Sequence, residues 1–431
     1  METPDTERED TTPEAESPDE AASATTPAVP RDLWPFIALE SATLIAGVGN
    51  GVATVALPWL TLQLTNDPAA AGVVVAAGAV PTLFASLASG VIIDRLGRRR
   101  TSVGSDVFSA TSAAMIPLFS LLGILTYPLV LIASALGAVF DAVGVTARES
   151  LLPDVAARTR LPLERVNGVH EASWGLAYLI GPGIAGLLIG AIGADNSFWT
   201  MFAGFAVSAV LVGTAKMPRP PARTGEPQHW IADALDGLRF VLRDPAIRAT
   251  TVLSTISFTL AYSVIAVVLP VIFERQDMPE ALGLLFVVYS AGGIVGALGY
   301  SALASRVPRR AGFVIGLLAT VPVAGVFAFP TSYPVQVVAL ALAGFLAGAV
   351  GPISNVVLQE RTAEQMRGRV LSVVFSFAYA IFPIGYVASG FMIREVGIAE
   401  TAAAAALISA VVAIWAMFTP ALREMYAPPP V

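Results

Sequence analysis

Three carboxylic acids interrupt long apolar stretches of this chain: Glu40, Asp106 and Asp141. A charged side chain at the centre of a bilayer costs about 3 kcal/mol or more, and such residues commonly mark proton or ion pathways. A carboxylate that binds a proton on one side of a membrane and releases it on the other can couple transport to a proton gradient. Glu40 and Asp141 are therefore our candidates for proton coupling, and we interpret Asp106 as a structural partner of nearby loop arginines.

Both candidates also have a structural interpretation. Glu40 lies about two turns into the first apolar run, where its side chain could instead extend to the lipid headgroups. Asp141 shares a helical face with Arg148, seven residues later, and could be its structural partner, although about 10 Å of helical rise separates the two. The second half of the chain has no acid or base in the central part of its apolar runs, so we expect any proton chemistry in the first half.

The rest of the sequence excludes several other classes of protein. The chain has no cysteine and only two histidines, His170 and His229, on different segments, so we expect neither a disulfide scaffold nor a metal site. There is no Walker A motif, and GVGNG at 47–51 lies inside an apolar run, so ATP is not the expected energy source. We expect no catalytic residues, no cofactor and no enzymatic activity. The net charge of −7 excludes a basic nucleic-acid-binding protein.

The composition indicates a polytopic membrane protein. Of the 431 residues, 55% are hydrophobic and 13% are charged, and the mean hydropathy is +0.72. Soluble domains carry about 25% charged residues. Twelve apolar runs are long enough to cross a bilayer as helices, and they do not alternate as barrel strands do. We therefore predict an all-α membrane protein with twelve transmembrane helices, whose approximate cores are 34–62, 70–93, 101–123, 128–149, 166–192, 198–216, 246–273, 282–304, 311–329, 334–357, 368–393 and 400–419.

Polar segments divide these runs into two groups of six. Residues 1–30 hold nine acids, one base and five prolines, which predicts a disordered acidic cytoplasmic tail. The segment 217–245 is Pro-rich at first and then amphipathic, which predicts a cytoplasmic linker with a helix on the membrane surface. The expected six-helix bundles are 31–216 and 246–420, followed by a short cytoplasmic tail at 421–431.

The basic residues predict the orientation in the membrane. If the N-terminus lies in the cytoplasm, 23 of the 25 lysines and arginines fall on the cytoplasmic side, and only Arg275 and Arg394 fall outside it. This asymmetry is what the positive-inside rule produces. We therefore expect a multi-pass protein of the cell membrane with both termini in the cytoplasm.

Three short matches in the same order indicate an internal repeat. VALP at 55–58 recurs as VVLP at 267–270, DRLGRR at 94–99 recurs as SRVPRR at 305–310, and AYLIGP at 177–182 recurs as AYAIFP at 378–383. Each match falls at the equivalent place in a unit of six runs. Paired repeats in transporters usually frame a substrate site near the middle of the membrane, between two moving halves.

Two longer motifs resemble those of a known family. GVIIDRLGRRR at 90–100 fits the pattern G-x-x-x-D-R-x-G-R-R, and GLAYLIGPGIAG at 175–186 is similar to an antiporter motif. Over about 33–420 the chain resembles the major facilitator superfamily, in particular its multidrug, macrolide and siderophore exporters. That resemblance implies two pseudo-symmetric six-helix bundles that transport by alternating access.

The resemblance also implies roles for both motifs. Asp94 would meet the eleventh run near 367–370 and form a cytoplasmic latch with the neighbouring arginines, or these arginines would only set the topology. The second copy has Ser305 in place of Asp94, which predicts a weaker latch there. The second motif would bend and seal the pathway against protons, or it would only provide close packing. The latch comprises Gly90, Asp94, Arg95, Gly97, Arg98 and Arg99, and the second motif contributes Gly181, Pro182, Gly183 and Gly186.

The residues that line a substrate cavity are predicted only as a set. Exporters of amphiphiles use aromatic rings and polar amides for this purpose, and the eligible side chains are Asn50, Trp59, Gln63, Trp174, Tyr178, Tyr262 and Tyr379. The expected partners are a small amphiphilic substrate, protons and the lipid bilayer. The leading hypothesis is proton-coupled efflux. The alternatives are an uncoupled facilitator or lipid flippase, and a non-transporting sensor or scaffold that acts through its acidic tail.

Overall fold

The computed structural model describes residues 32–215, 230–363 and 366–426, and nearly all of these residues are helical. Within these ranges there is no strand, in agreement with the predicted all-α fold. The predicted acidic tail at 1–30 lies outside the described residues, and so do the Pro-rich part of the linker and the end of the short tail at 421–431.

Seven helices form the described part of the first half. They are α1 (Trp34–Thr65), α2 (Pro68–Leu96), α3 (Arg98–Leu121), α4 (Tyr127–Glu149), α5 (Leu152–Thr159), α6 (Leu163–Ile192) and α7 (Ala194–Thr214). Local sequence explains where they begin and end. Asp67 accepts a hydrogen bond from the backbone N–H of Ala69 at 2.9 Å and so caps the start of α2. Gly97, with φ of 87°, makes the turn between α2 and α3.

The described part of the second half contains ten α-helices, a π-helix at Val264–Val268 and a 3₁₀-helix at Pro420–Tyr426. The α-helices are α8 (Trp230–Arg243), α9 (Pro245–Ser263), α10 (Leu269–Arg275), α11 (Pro279–Leu303), α12 (Arg309–Leu317), α13 (Thr320–Ala328), α14 (Tyr333–Ala347), α15 (Val350–Arg361), α16 (Arg367–Glu395) and α17 (Ile398–Phe418). The helix expected in the linker is α8. The seventh apolar run consists of α9, the π-helix and α10, the ninth of α12 and α13, and the tenth of α14 and α15.

Eleven described segments are long and apolar enough to cross a membrane. The twelfth helix of the fold is α3, whose 24 residues extend over about 36 Å. Its lower hydropathy comes partly from buried hydroxyl-bearing residues, among them Ser102, Ser105 and Ser109. Because α3 packs against α4 and α7, these residues face other helices rather than lipid.

The internal repeat is visible as matching contacts at the helix ends. In the first half, Arg98 at the start of α3 forms an ion pair with Asp154 of α5 at 2.9 Å. In the second half, Arg309 at the start of α12 donates to Glu360 of α15 at 2.7 Å. The two arginines occupy the same place in the repeated loop motif. The loop therefore makes the same type of contact inside each half.

The next arginine of the motif is also matched between the halves. Arg99 donates from Nε to the carbonyl oxygen of Val212 at 3.1 Å, in the last turn of α7. Arg310 donates to the carbonyl oxygen of Met417, in the last turn of α17. Carbonyl groups in the last turn of a helix have no partner within the helix, so a cation is stabilising there. Both arginines therefore hold the last helix of their own half.

A third matched pair joins the start of each half to a residue at or just beyond the end of its fourth apolar run. Asp32 lies 3.3 Å from Arg158 of α5, and Asp244 lies 2.8 Å from Arg361 of α15. The second pair is almost completely buried, whereas the first is partly exposed. The repeat inferred from short sequence matches is thus a repeat of specific ionic contacts.

The two halves approach each other closely at one end of the molecule, where α2 crosses α16 and α6 crosses α11. A methyl group added to Gly390 would lie 2.6 Å from the carbonyl oxygen of Pro68, and one added to Gly283 would lie 2.9 Å from that of Pro182. At the other end of α2, no described atom lies within 4 Å of a methyl group added to Gly90. We call the first end the closed end and the second the open end.

Candidate transport cavity

A cavity of about 470 Å³ lies among the helices of the first half. Its lining comes from α1, α2, α3, α4, α6 and α7 and reaches Glu149, the last residue of α4, at the open end. Among the described residues, Tyr379 of α16 is the one lining residue from the second half. This volume is within the range of roughly 300–1,000 Å³ that is typical of sites for small molecules. Aliphatic hydroxyl groups on the lining belong to Thr82, Ser86, Ser112, Ser134 and Thr146.

Asp141 is the predicted coupling residue that lines this cavity. Its Oδ2 accepts a hydrogen bond from Nδ2 of Asn50 in α1 at 2.9 Å. Its Oδ1 lies 3.8 Å from Nη2 of Arg148, and 22% of its side chain is exposed. The carboxylate is therefore held between an amide and a guanidinium while one side remains open to the cavity.

Arg148 is the centre of a buried polar cluster on the other side of Asp141. Its Nη1 donates to Oδ1 of Asp106 at 2.6 Å, and both side chains are only 1% exposed. Ser208 of α7 donates to Oδ2 of Asp106, also at 2.6 Å. The cluster joins α3, α4 and α7 and contains two acids and one base. The ion pair with Arg148 neutralises the charge of Asp106. One negative charge therefore remains at Asp141, next to the cavity.

This geometry corrects the interpretation of Asp106. The loop arginines Arg98 and Arg99 contact α5 and α7 and do not reach Asp106, whose partner is Arg148. The geometry also shows that Arg148 contacts both acids despite the helical rise between it and Asp141. The long arginine side chain spans the two turns along one face of α4.

Glu40 lies in a second buried site, between α1 and α6. Its Oε1 lies 3.3 Å from Nδ1 of His170, and Ser173 donates to its Oε2 at 3.0 Å. The side chain is only 8% exposed, so it is not the interfacial glutamate of the structural alternative. Ten residues of α1, or about 15 Å of rise, separate Glu40 from Asn50. The two predicted coupling acids therefore lie in separate sites.

The loop that carries the first motif is divided between two environments. Arg98 and Arg99 make contacts inside the first half, as described above. Asp94 and Arg95 are exposed, and within the described residues neither forms a hydrogen bond or an ion pair. In this conformation Asp94 is therefore free of the eleventh run, which the resemblance gave as its partner.

The second motif lies where three helices meet. A methyl group added to Gly181 would lie 2.7 Å from the Cα of Gly51 in α1, and one added to Gly183 would lie 2.7 Å from a methyl carbon of Val287 in α11. At Gly186 an added methyl group would overlap the backbone at the start of α11. Pro182 is buried inside α6. The motif thus allows α6 to contact both α1 and the second half near the closed end.

Aromatic residues form one wall of the cavity. Trp174 and Tyr178 line it from α6 with their rings stacked 5.8 Å apart, and Tyr379 lines it from α16. Tyr262 is not a lining residue, but its ring lies 5.4 Å from that of Phe382, which in turn contacts Tyr379. An apolar or aromatic part of a substrate would be accommodated along this wall.

Besides Tyr262, two more of the proposed cavity residues lie outside the lining, Trp59 and Gln63. Trp59 is 1% exposed and packs in the hydrophobic core. Gln63 lies in the last turn of α1, at the closed end, and its side chain is exposed outside the cavity. Among the described residues, no group of three or more histidines, cysteines, aspartates and glutamates could hold a metal ion.

Sequence comparison places the chain among membrane transporters. Residues 39–299 and 251–430 match the family described as the Major Facilitator Superfamily. The chain is 35% identical over 396 residues to the multidrug efflux pump Tap of Mycolicibacterium fortuitum, covering 91% of this chain and 97% of that protein. It is 36% identical to Tap of Mycobacterium tuberculosis (strain ATCC 25618 / H37Rv), covering 91% of this chain and 94% of that protein. The enterobactin exporter EntS of Escherichia coli O6:K15:H31 (strain 536 / UPEC) is 26% identical, with coverage of 78% and 79%.

Solved structures share the fold at lower sequence identity. The nucleoside transporter NupG has a TM-score of 0.71 and 16% identity, covering 89% of this chain and 98% of that one. A bacterial homologue of the human lysosomal transporter Spinster, in an inward-facing and unoccupied conformation, has a TM-score of 0.69 and 14% identity, covering 92% and 98%. At these identities the likeness establishes the fold alone.

Proposed function

The chain belongs to the Major Facilitator Superfamily, and on that premise we propose that it exports small amphiphilic molecules across the cell membrane in exchange for protons. The observation that carries the proposal is Asp141, a carboxylate that lines the cavity between Asn50 and Arg148. The similarity to multidrug efflux pumps over 91% of the chain supports the direction of transport.

The orientation follows from the distribution of basic residues. We place both termini in the cytoplasm, because 23 of the 25 basic residues then lie on the cytoplasmic side. The open end carries the arginine-rich loop between α2 and α3, so the cavity opens to the cytoplasm in this conformation. An exporter in this state can bind its substrate from the cytoplasm or from the inner leaflet of the bilayer.

The lining of the cavity favours substrates with a positive charge. Asp141 and Glu149 are its charged residues, and no lysine, arginine or histidine is among the described lining residues. The faces of Trp174, Tyr178 and Tyr379 can add cation–π attraction to apolar contact. An amphiphile with an aromatic body and one cationic group matches both features.

Asp141 provides a simple basis for exchange. One carboxylate can neutralise either a proton or the cationic group of a substrate, so binding of one disfavours binding of the other. A proton that arrives from outside would displace the substrate, and release of that proton to the cytoplasm would restore the empty site. Arg148 remains bound to Asp106 in both states, which holds the positive charge near Asp141 in place.

Asp94 and Glu40 have supporting roles in this proposal. When the open end closes, Asp94 approaches the start of α16, where the first N–H groups of a helix favour a negative charge. That contact would stabilise the state that is open to the outside. Glu40 remains a second candidate for proton binding, with His170 as a neighbour that can share the proton.

The test is transport in proteoliposomes with an imposed pH gradient, using the fluorescent lipophilic cation ethidium as the probe. We expect gradient-driven transport by the wild type and by Asp277→Asn, an exposed acid at the closed end. Asp141→Asn should bind the probe at least tenfold more weakly and should not respond to the gradient. Glu40→Gln measured in parallel decides whether its site takes part in coupling.

The outcomes separate the alternatives. Transport that persists unchanged without a gradient would indicate an uncoupled facilitator or a flippase. Absence of any transport by the wild type, combined with a binding partner that is lost on deletion of residues 2–30, would indicate a sensor or scaffold.

A further inference from the structure

One ion pair joins the two halves at the closed end. Arg394, near the end of α16, places Nη1 3.7 Å from Oδ2 of Asp67, immediately before α2. Other ion pairs, among them Arg98–Asp154, Arg309–Glu360 and Arg361–Asp244, each join two residues of the same half. The pair lies beside the crossing of α2 and α16, where Gly390 approaches the backbone at Pro68.

We propose that Asp67 and Arg394 form a latch, distinct from the cytoplasmic one expected at the loop between α2 and α3, that keeps the closed end shut. This latch must break before the cavity can open there. The latch goes beyond the proposed function but rests on one part of it, the existence of two alternating states. It does not depend on the identity of the substrate or on proton coupling.

The charge distribution makes Arg394 unusual. In the predicted topology, Arg394 and Arg275 are the two basic residues on the side opposite to the other 23. Arginine on this side works against the positive-inside rule, so topology does not explain its presence. The ion pair across the two halves does explain it. Arg275 is exposed and forms no ion pair or hydrogen bond within the described residues, so it provides a matched comparison.

Both members of the latch are held in place by their own half. Asp67 caps α2 through Oδ1, which leaves Oδ2 directed at Arg394. The guanidinium of Arg394 lies over the ring of Phe391, 4.6 Å from its centre, and its Nε donates to Glu395 at 3.0 Å. These contacts restrict the two side chains before they meet, which lowers the entropy lost on forming the pair.

The related crossing between α6 and α11 lacks this pair. Glu280, at the start of α11, lies against Gly190 of α6, and within the described residues it has no basic partner. The latch is therefore a feature of one of the two pseudo-symmetric crossings. The ionic contact accompanies the glycine contact at α2 and α16 but not the one at α6 and α11.

The latch must be weak enough to break in every transport cycle. The side chains of Arg394 and Asp67 are 43% and 34% exposed. Ion pairs with this exposure change the ratio of two states by about 1.4- to 5-fold. A bias of this size favours the closed end without preventing it from opening.

The experiment measures the distance between the two halves directly. The chain has no cysteine, so spin labels attached to Gln63→Cys in α1 and Val396→Cys after α16 report without background. Both positions are exposed at the closed end. Pulsed electron–electron double resonance in lipid nanodiscs gives the distribution of distances between the two labels. The ratio of open to closed distances is the ratio of the populations at the longer and the shorter distance. The variants are Asp67→Asn, which keeps a helix-capping side chain, Arg394→Gln, the two combined, and Arg275→Gln as the control.

We expect Asp67→Asn and Arg394→Gln each to raise the ratio of open to closed distances by about 1.4- to 5-fold. The combined variant should raise it no further than the larger single effect, and Arg275→Gln should leave it unchanged. Single variants that match the control, or a combined effect equal to the product of the two, would overturn the latch. A shift in distance in a protein that transports nothing would support the latch while refuting the proposed function.

Discussion

Replacement of Asp106 by asparagine should lower the free energy of unfolding by about 3–5 kcal/mol, which is the usual cost of leaving one member of a buried ion pair without its partner. Arg148 and Asp106 are each 1% exposed, and the charged atoms are 2.6 Å apart. Asp141 also lies near the guanidinium, at 3.8 Å, and compensates part of the lost charge. We therefore expect a value at the lower end of this range.

Denaturant titration in detergent micelles measures this change as a shift of the midpoint at constant slope. The double variant Asp106→Asn/Arg148→Met should be more stable than Asp106→Asn alone, because it removes the buried charge that the single variant leaves without its closest partner. Asp141→Asn should cost less, because its contact is longer and its side chain is partly exposed. The reasoning is refuted if Asp106→Asn is within about 0.5 kcal/mol of the wild type, or if the double variant is the less stable of the two.

Three further predictions concern the loop between α2 and α3, the repeat and the Glu40 site. Gly90→Leu should fold with normal yield, because no described atom lies within 4 Å of an added methyl group. It should reduce proteoliposome transport at least tenfold, because the larger side chain obstructs closure of the open end. Normal transport by this variant would contradict the prediction. Arg99→Gln and Arg310→Gln should lower the free energy of unfolding by similar amounts, about 0.5–2 kcal/mol in denaturant titration, and a large effect of only one would argue against matched roles. Glu40→Ala should destabilise the protein by about 1–3 kcal/mol, because the buried His170 and the partly buried Ser173 lose their hydrogen-bond partner. Glu40→Gln should retain most of the stability.

Much of the fold could be predicted from the sequence because it depends on local patterns. Apolar runs, prolines and glycines predicted the helices, and the loop motif with its second copy predicted two related halves. The all-α membrane fold and the family are confirmed by the structure and by the comparisons. The motif did not show which arginines act inside a half. The structure separates Arg98 and Arg99, which contact α5 and α7, from the exposed Asp94 and Arg95.

The polar clusters could not be predicted because they depend on the rotation of each helix about its axis. Asp106 and Ser208 are 102 residues apart in sequence yet share a hydrogen bond, and no periodic pattern indicates that they meet. The sequence predicts no metal site at His170 and indicates no other partner for it, whereas in the structure it lies beside Glu40. Trp59 was proposed for the cavity on residue type alone, but it faces the core. The serines of the third apolar run, among them Ser102, Ser105 and Ser109, were a sequence signal that α3 buries a polar face.

The most direct measurement of the exchange mechanism is proton release on substrate binding. Ethidium is added to the purified protein in weakly buffered detergent solution, and released protons are counted against bound probe across a range of pH. The wild type should release up to about one proton per bound cation where Asp141 is protonated at the start, and Asp141→Asn should release none. Equal release by both proteins, or binding by the wild type without any release at any pH, would contradict exchange at Asp141.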